Sequence, residues 1–342
     1  MNMDERKFRI LEAIIDDYIM TAVPVGSRTI SKKSGVGFSP ATIRNEMSDL
    51  EELGYLAQPH TSAGRIPSAK AYRLYVDRFM KLAELTDQET GVIRDHLSRR
   101  TAQVEEVIRQ AAQALSDTTH YTAVISTPRM SEVEINRLQL VPVSDNAALL
   151  VIVTTGGMVK QRVVSVPEGV DEDRLWGLSK RLTTALHGLT LQQAREQLSE
   201  MFSELGQHSS LMDAVLGELD TQIEGENSAP IVVGGRSNLL NLPEYSDMEK
   251  ARSFLAVLES QDKLAPLLRN NGVEFTVRIG PENNVPELSD CSVITASYRI
   301  SENTTGTMGI IGPTRMNYAK VVSIMNYMGK AISEMLKNDE LN

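Results

Sequence analysis

Arg44 and Asn45 stand side by side, with Thr42 two residues earlier. Arg and Asn are the side chains that grip guanine and adenine edges through paired hydrogen bonds, and a threonine hydroxyl bonds to either kind of base. The chemistry on offer is recognition of nucleic-acid bases. A polar first turn on an ordinary surface helix is the competing reading of these three residues alone, and their surroundings decide between the two.

The surroundings form a well-bounded helix. Ser39 is an N-cap type, Pro40 suits the first helical position, and Gly54 can adopt the left-handed conformation that stops a helix. Ile43, Met47, Leu50 and Gly54 follow the spacing of a buried stripe, which leaves Ala41, Thr42, Arg44, Asn45 and Ser48 on other faces near the N-terminal end. Upstream, Ser27 is the expected cap of a short helix through Ile30 to Lys33, with Ser34-Gly35-Val36-Gly37-Phe38 as the connecting turn. Downstream, Tyr55 to Gln58 reads as a short strand, Pro59 to Arg65 as a turn, and Pro67-Ser68 as the start of another helix. Helix, turn, helix and wing is the arrangement in which the second helix reaches base edges.

Charge placement agrees. Between Gly26 and Asn45 there are four basic residues (Arg28, Lys32, Lys33, Arg44) and no acid; between Gly54 and Val76 there are three (Arg65, Lys70, Arg73) and none. Glu46, Asp49, Glu51 and Glu52 cluster at the rear of the central helix. Neutralising phosphate with Lys and Arg supplies most non-specific DNA affinity. Thr42, Arg44 and Asn45 are therefore the expected base contacts, Arg28, Lys32, Lys33 and Ser39 the expected phosphate contacts, and Gly64-Arg65 the expected wing contact. The chain's formal charge of −10 divides unevenly: residues 1–82 hold 12 Lys and Arg against 10 Asp and Glu, or +2, and the remainder 23 against 35, or −12. An acidic remainder turns the basic end toward a duplex.

These residues carry a family resemblance. Val23-Pro24-Val25-Gly26-Ser27, Ser39 to Met47, Leu50 to Leu56 and Pro59-His60-Thr61-Ser62-Ala63-Gly64-Arg65-Ile66-Pro67, with a distant second patch at Gly309-Ile310-Ile311-Gly312-Pro313-Thr314-Arg315-Met316-Asn317-Tyr318-Ala319, resemble the HrcA family of bacterial heat-inducible transcription repressors. Ser68 and Ala71 depart from it, standing where the family's usual segment has Thr and Gly. The resemblance implies a homodimer on an inverted-repeat operator of the CIRCE type ahead of chaperone operons. It further implies a chaperonin partner that keeps the repressor active, a GAF-like C-terminal domain and an inserted helical dimerisation segment.

The rest of the chain reads as follows. Residues 1–83 form the mainly α, winged helix-turn-helix unit, with Phe8, Ile10, Leu11, Ile14, Ile15 and Tyr18 backing it from a first helix. Ser68 to Ala83 carries Tyr72, Tyr75, Phe79 and Leu82 at helical spacing, a core stripe in preference to a stacking platform for bases. Thr86 to Glu89 is a capping box opening one long connector helix over 84–117. Strand patterns at Ile135 to Val143, Ala147 to Thr155 and Met158 to Val166, turning at Ser144-Asp145-Asn146 and Gly156-Gly157, make an antiparallel meander whose apolar middle strand is expected to be covered on both faces. Later strands and helices complete an α+β body over 118–168 and 229–342, with a helical insertion at 169–228.

A length of 342 residues suits two or three domains. The single cysteine, Cys291, excludes a disulfide framework and a Cys-based zinc site and points to a reducing compartment. No apolar run reaches the length of a membrane span, so a cytoplasmic protein is expected. The five histidines (His60, His96, His120, His187, His208) lack metal-ligand spacing, and there is no nucleophile motif, so neither an enzyme nor a cofactor is expected. Val232-Val233-Gly234-Gly235-Arg236-Ser237 lacks the spacing of a phosphate loop and reads as a turn. It is also all that the sequence offers to the alternative, a winged-helix regulator gated by a small effector in its C-terminal domain. A winged helix tethering an enzyme and an RNA-binding adaptor are the remaining rivals, the second needing exposed aromatics such as Tyr72 and Tyr75.

Overall fold

The computed structural model describes residues 3–33, 37–60, 63–97, 104–127, 134–154, 159–167, 170–205, 213, 215–217, 219–220, 230–268, 274–299 and 305–338. Ser34-Gly35-Val36, Thr61-Ser62, Gly156-Gly157 and His208 lie outside them, as do Leu211 and much of the expected helical insertion beyond 205.

Helix α1 (Glu5–Thr21) opens on Asp4, whose carboxylate accepts the Lys7 amide at 2.8 Å. Helix α2 (Ser27–Ser31) is capped by Gly26 with no side-chain bond, so Ser27 is its first residue and not its cap, and it stops two residues before Lys33. Helix α3 (Pro40–Glu52) follows the expected punctuation: the Ser39 hydroxyl accepts the Thr42 amide at 3.1 Å, and Gly54 takes φ +77°. Strands β1 (Leu56–Ala57) and β2 (Ile66–Pro67) pair antiparallel, and a bridge from Val25 to Arg65 adds a third line. Helix α4 (Ala69–Arg78), capped by Ser68, ends before the expected Ala83; Tyr72 is buried, whereas Leu82 falls beyond the helix and is 57% exposed. Ile10, Leu11, Ile14, Ile15, Ile30, Ile43, Leu50 and Tyr72 form the core of this unit.

The capping box at Thr86 is present, with the Thr86 amide donating to Glu89 Oε2 at 2.8 Å and the Glu89 amide to Thr86 Oγ1 at 3.3 Å. The single connector helix is not. Helices α5 (Asp87–Leu97) and α6 (Val104–Thr119) pack against one another. The reason is the breadth of the α6 apolar surface. Val104, Val107, Ile108, Ala111, Ala112 and Leu115 are all buried, more than a solvated rod could hide, and α5 covers part of that surface with Ile93 and Leu97.

The body is built on a five-stranded antiparallel sheet ordered β7 (Ile231–Gly234), β3 (Thr122–Ser126), β10 (Thr305–Pro313), β9 (Cys291–Arg299), β8 (Phe275–Ile279). Alternate residues face opposite ways. Ile294 and Ile310 meet α6 and α11 (Tyr318–Asn338), while Val124, Val293 and Ile311 meet α9 (Met248–Glu259) and α10 (Gln261–Leu267). Gly234 and Gly235 are explained by this packing. A Cβ on Gly234 would come within 2.4 Å of the Ala112 carbonyl oxygen, and Gly235, at φ +68°, lies against Ser116. Gly234 ends β7 and Gly235 alone makes the expected turn, into a 3-10 helix that begins at Arg236, both shaped by the close approach of α6.

The meander β4 (Ile135–Ser144), β5 (Ala147–Thr154), β6 (Val159–Ser165) forms its own three-stranded sheet. An insertion beginning at 169 would leave the meander with the body, but the ladders separate them. Ser126 pairs with Ile231 and the Thr127 amide donates to the Pro230 carbonyl at 2.9 Å, so the chain leaves the body just after β3 and returns at β7. The excursion carries the meander together with α7 (Glu172–Leu186) and α8 (Leu191–Leu205). Helix α7 seals the β4 edge, with the Leu140 amide donating to Ser179 Oγ at 2.9 Å and Thr183 Oγ1 donating to the Leu138 carbonyl at 2.7 Å. Only one face of β5 is buried: Ala148, Leu150, Ile152 and Thr154 point in, and Ala147, Leu149, Val151 and Val153 are half-buried on the other side. The expectation of cover on both faces fails within a single chain.

The distant Gly309–Ala319 patch joins the N-terminal unit to the body. Arg315 pairs with Glu244 and donates to the Ile19 carbonyl at 3.4 Å, and the Tyr318 ring lies 5.9 Å from that of Tyr72. Arg73 completes the seam by pairing with Glu282 and donating to the Val277 carbonyl at 2.6 Å.

Candidate nucleic-acid interface

The first turn of α3 is prepared locally. The Ser39 hydroxyl is 2.9 Å from Thr42 Oγ1 as well as bonding the Thr42 amide, so both hydroxyls are engaged in the cap before any ligand arrives. Arg44 and Asn45 are exposed, and neither meets a carboxylate among the described residues. With Ala41 and Ser48 they make a solvent-facing surface free of negative charge. Glu46, the next residue, turns inward: it is 5% exposed and pairs with Arg6 at 2.6 Å and Lys7 at 2.8 Å.

The two acid-free segments behave differently. In the first, Arg28 and Lys32 are exposed and reach no described carboxylate, but Lys33 is held by Asp17 at 2.7 Å. In the second, all three cations are engaged within the chain. Arg65 pairs with Glu51 at 2.8 Å, Lys70 donates to the Leu53 carbonyl at 2.8 Å and lies 4.5 Å from the centre of the Tyr55 ring, and Arg73 belongs to the seam with the body. Gly64 serves the backbone: a Cβ there would come within 2.4 Å of the Val25 carbonyl oxygen, which the Val25–Arg65 bridge brings close. Counting charges along the sequence overstated the second segment, because the partners stand far away in the chain.

Of the expected contacts, Ser39, Thr42, Arg44 and Asn45 lie at the start of α3 and Arg28 and Lys32 on or just after α2, which packs against α3, while Lys33, Gly64 and Arg65 have structural work. Lys7 is not among the contacts expected from the sequence. Its position on α1 gave no hint, since a lysine among charged neighbours on a first helix looks solvated, whereas it is 6% exposed here. The Lys7 ammonium is held above its ordinary value by its close pairing with Glu46 and then Asp49, against the opposing effect of burial.

Elsewhere the chemistry is quiet. Among the described residues no group of three or more His, Cys, Asp and Glu could hold a metal ion. Burial pushes the Cys291 thiol up to about 12, and its sulfur lies 2.8 Å from the Tyr245 hydroxyl, so it is a packed and unreactive group. No helix among the described residues is long and apolar enough to cross a membrane.

Comparison with known proteins identifies what this architecture belongs to. Residues 105–322 match the family model described as the HrcA protein C terminal domain. Over 340 residues the chain is 42% identical to the heat-inducible transcription repressor HrcA of Pelotomaculum thermopropionicum, covering 98% of both chains. It is 42% identical over 335 residues to that of Halalkalibacterium halodurans, again with 98% of both covered. A crystal structure described as that of a hypothetical protein superposes with a TM-score of 0.67 at 27% identity, over 99% of this chain and 100% of that one. The chain belongs to the HrcA family of heat-inducible transcription repressors.

Proposed function

We propose that this repressor reads its operator with a winged helix-turn-helix made of α2, α3 and the β1–β2 wing, α3 lying in the major groove. The observation that carries this reading is the Arg44–Asn45 pair on the capped, acid-free start of α3, with the unengaged cations Arg28 and Lys32 on or just after α2, which packs against it. Arg44 and Asn45 contact base edges. Arg28 and Lys32 contact phosphates, helped by Ser39 and the N-terminal amides of α3. Thr42 contributes through the cap as well as at the groove. Lys33, Gly64 and Arg65 reach DNA only through backbone or by exchanging their internal partners for phosphate.

The functional unit is a homodimer on an inverted repeat, because a two-fold protein matches a palindromic site. The open apolar face of the β4–β5–β6 sheet supports that assembly, and the excursion carrying it serves as the dimerisation segment. The body, a five-stranded antiparallel sheet between helices, is GAF-like in outline. The chain is a negative regulator of heat-shock genes and not an enzyme, which sets its place of action at the chromosome in the cytoplasm. Its operator is of the CIRCE type, and a chaperonin maintains its activity and is drawn away by heat.

Fluorescence anisotropy with an inverted-repeat duplex and a scrambled duplex, at two salt concentrations and with or without chaperonin, tests these points together. Repeat-selective binding that weakens with salt and strengthens with chaperonin is expected. Arg44→Ala should cost about 1–3 kcal/mol on the repeat and relax selectivity, whereas Lys32→Ala should weaken both duplexes alike and lower the salt slope by about 1. Equal losses on both duplexes from Arg44→Ala would remove it as a base reader.

A further inference from the structure

Helix α3 is held from behind by charge. Lys7 Nζ on α1 lies 2.8 Å from Glu46 Oε2 and 3.0 Å from Asp49 Oδ2, and Arg6 Nε lies 2.6 Å from the other Glu46 oxygen. The Lys7 and Glu46 side chains are only 8% and 6% exposed. Glu46 directly follows Asn45, so the pair is formed within one residue of the polar surface.

Stability does not explain this arrangement. A buried ion pair can often be replaced by apolar side chains of similar volume with little loss, while removing one partner alone is strongly destabilising. Ile43, Met47 and Leu50 already bury the same side of α3, but apolar contact has no direction and tolerates small rolls and slides. Base reading does not tolerate them. At a side-chain radius of about 6 Å, a roll of about 20° moves a side chain by about 2 Å, enough to break a bidentate hydrogen bond. The ion pairs supply the missing direction, joining α1 to Glu46 and to Asp49 one turn further along α3.

We infer that Lys7 is a positioning residue for sequence reading: its contacts with Glu46 and Asp49 set the roll of α3 so that Arg44 and Asn45 meet base edges. Lys7 itself touches no DNA. The inference rests on the reading of α3 as the helix in the groove.

The test is the double variant Lys7→Met/Glu46→Leu of the full chain, which replaces the buried pair by apolar side chains and leaves Arg6 and Asp49 their access to solvent. Thermal denaturation and the ratio of affinities for inverted-repeat and scrambled duplexes are measured on the same preparation. The melting temperature should stay near that of the unaltered protein, while the ratio falls about tenfold or more, the discrimination that one bidentate contact carries. Binding to the scrambled duplex should hardly change, since the phosphate contacts remain. The conservative Lys7→Arg should keep the ratio within about threefold, because it retains the charge and two donors. A folded double variant with an unchanged ratio overturns the inference. Should the double variant fail to fold, Asp49→Asn, which removes the second Lys7 contact at a side chain 29% exposed and keeps the Lys7–Glu46 pair, is read in its place by the same ratio and the same criterion. If the unaltered protein binds both duplexes equally, the operator-reading proposal itself falls and takes this one with it.

Discussion

The two larger sheets of this molecule have interior strands whose faces end differently. In the five-stranded sheet, β9 is buried at nearly every position because helices cover both faces. In the three-stranded sheet, β5 is apolar throughout Ala147 to Val153, more so than β9, yet only its alternate residues are buried. Its open face runs in register across the sheet: Val141 pairs with Leu149 and Leu149 with Val163, and Val141 and Val163 are 44% and 60% exposed. An apolar strand announces that both its faces need cover, but not where the cover comes from. One sheet finds it within the chain; the other, in our reading, finds it on a second copy.

Three experiments sharpen or break that contrast. The largest effect should come from Ile294→Asp, which puts an unpaired carboxylate into a fully buried position of the five-stranded sheet. Such a change belongs to the class that costs more than about 4 kcal/mol, and thermal denaturation should show a chain that no longer folds cooperatively.

Adjacent leucines on β5 provide the second. Leu150 is 1% exposed and points at the covered face, so Leu150→Ala should cost about 2–5 kcal/mol in denaturant unfolding. Leu149 points the other way, and Leu149→Ala should cost less than about 1 kcal/mol in the dilute monomer while weakening self-association. Val151→Asp on the same open face should yield a folded monomer by sedimentation. A dimer of undiminished affinity in Val151→Asp would break the comparison, since the open face would then have no partner.

The smallest effect should come from the seam between the N-terminal unit and the body, where polar groups take the place of an apolar face. Burial acts first to raise the Glu282 carboxyl, but hydrogen bonds from Arg73 and the Ile279 amide outweigh it and hold the group below its ordinary value of 4.5. A carboxylate shifted downward stabilises the fold above pH 4.5, and that contribution is lost as pH falls through the lowered value. The Glu282 side chain is 41% exposed, so solvent screening keeps the contribution to about 0.5 kcal/mol. Glu282→Gln should flatten the stability profile by that amount below pH 5 and leave it unchanged in slope near neutrality.

Legibility in the sequence followed range. The α3 boundaries, the Thr86 capping box and the strands of the meander were readable because a cap, a stop and an alternating pattern act over three or four residues. The fates of Lys33, Arg65 and Arg73 were not, because Asp17, Glu51 and Glu282 become their partners only when separate elements meet. The break between α5 and α6 was hidden for a related reason: both halves carry good helical patterns, and only the need to cover the wide apolar surface of α6 folds them together.

By itself the sequence determined where elements begin and end and which residues could read bases, since backbone capping, side-chain periodicity and donor geometry are properties of short stretches. The tertiary structure alone decided which charges remain available. It turned Glu46 and Lys7 inward, engaged the cations around the β1–β2 pair, and left Arg28, Lys32, Arg44 and Asn45 facing solvent. It also decided that the meander belongs with the excursion, through the Ser126–Ile231 pairing that closes the body's sheet behind it. Both outcomes depend on contacts between residues distant in the chain, where burial and Coulomb attraction act on what folding has brought together, whatever the spacing along the sequence.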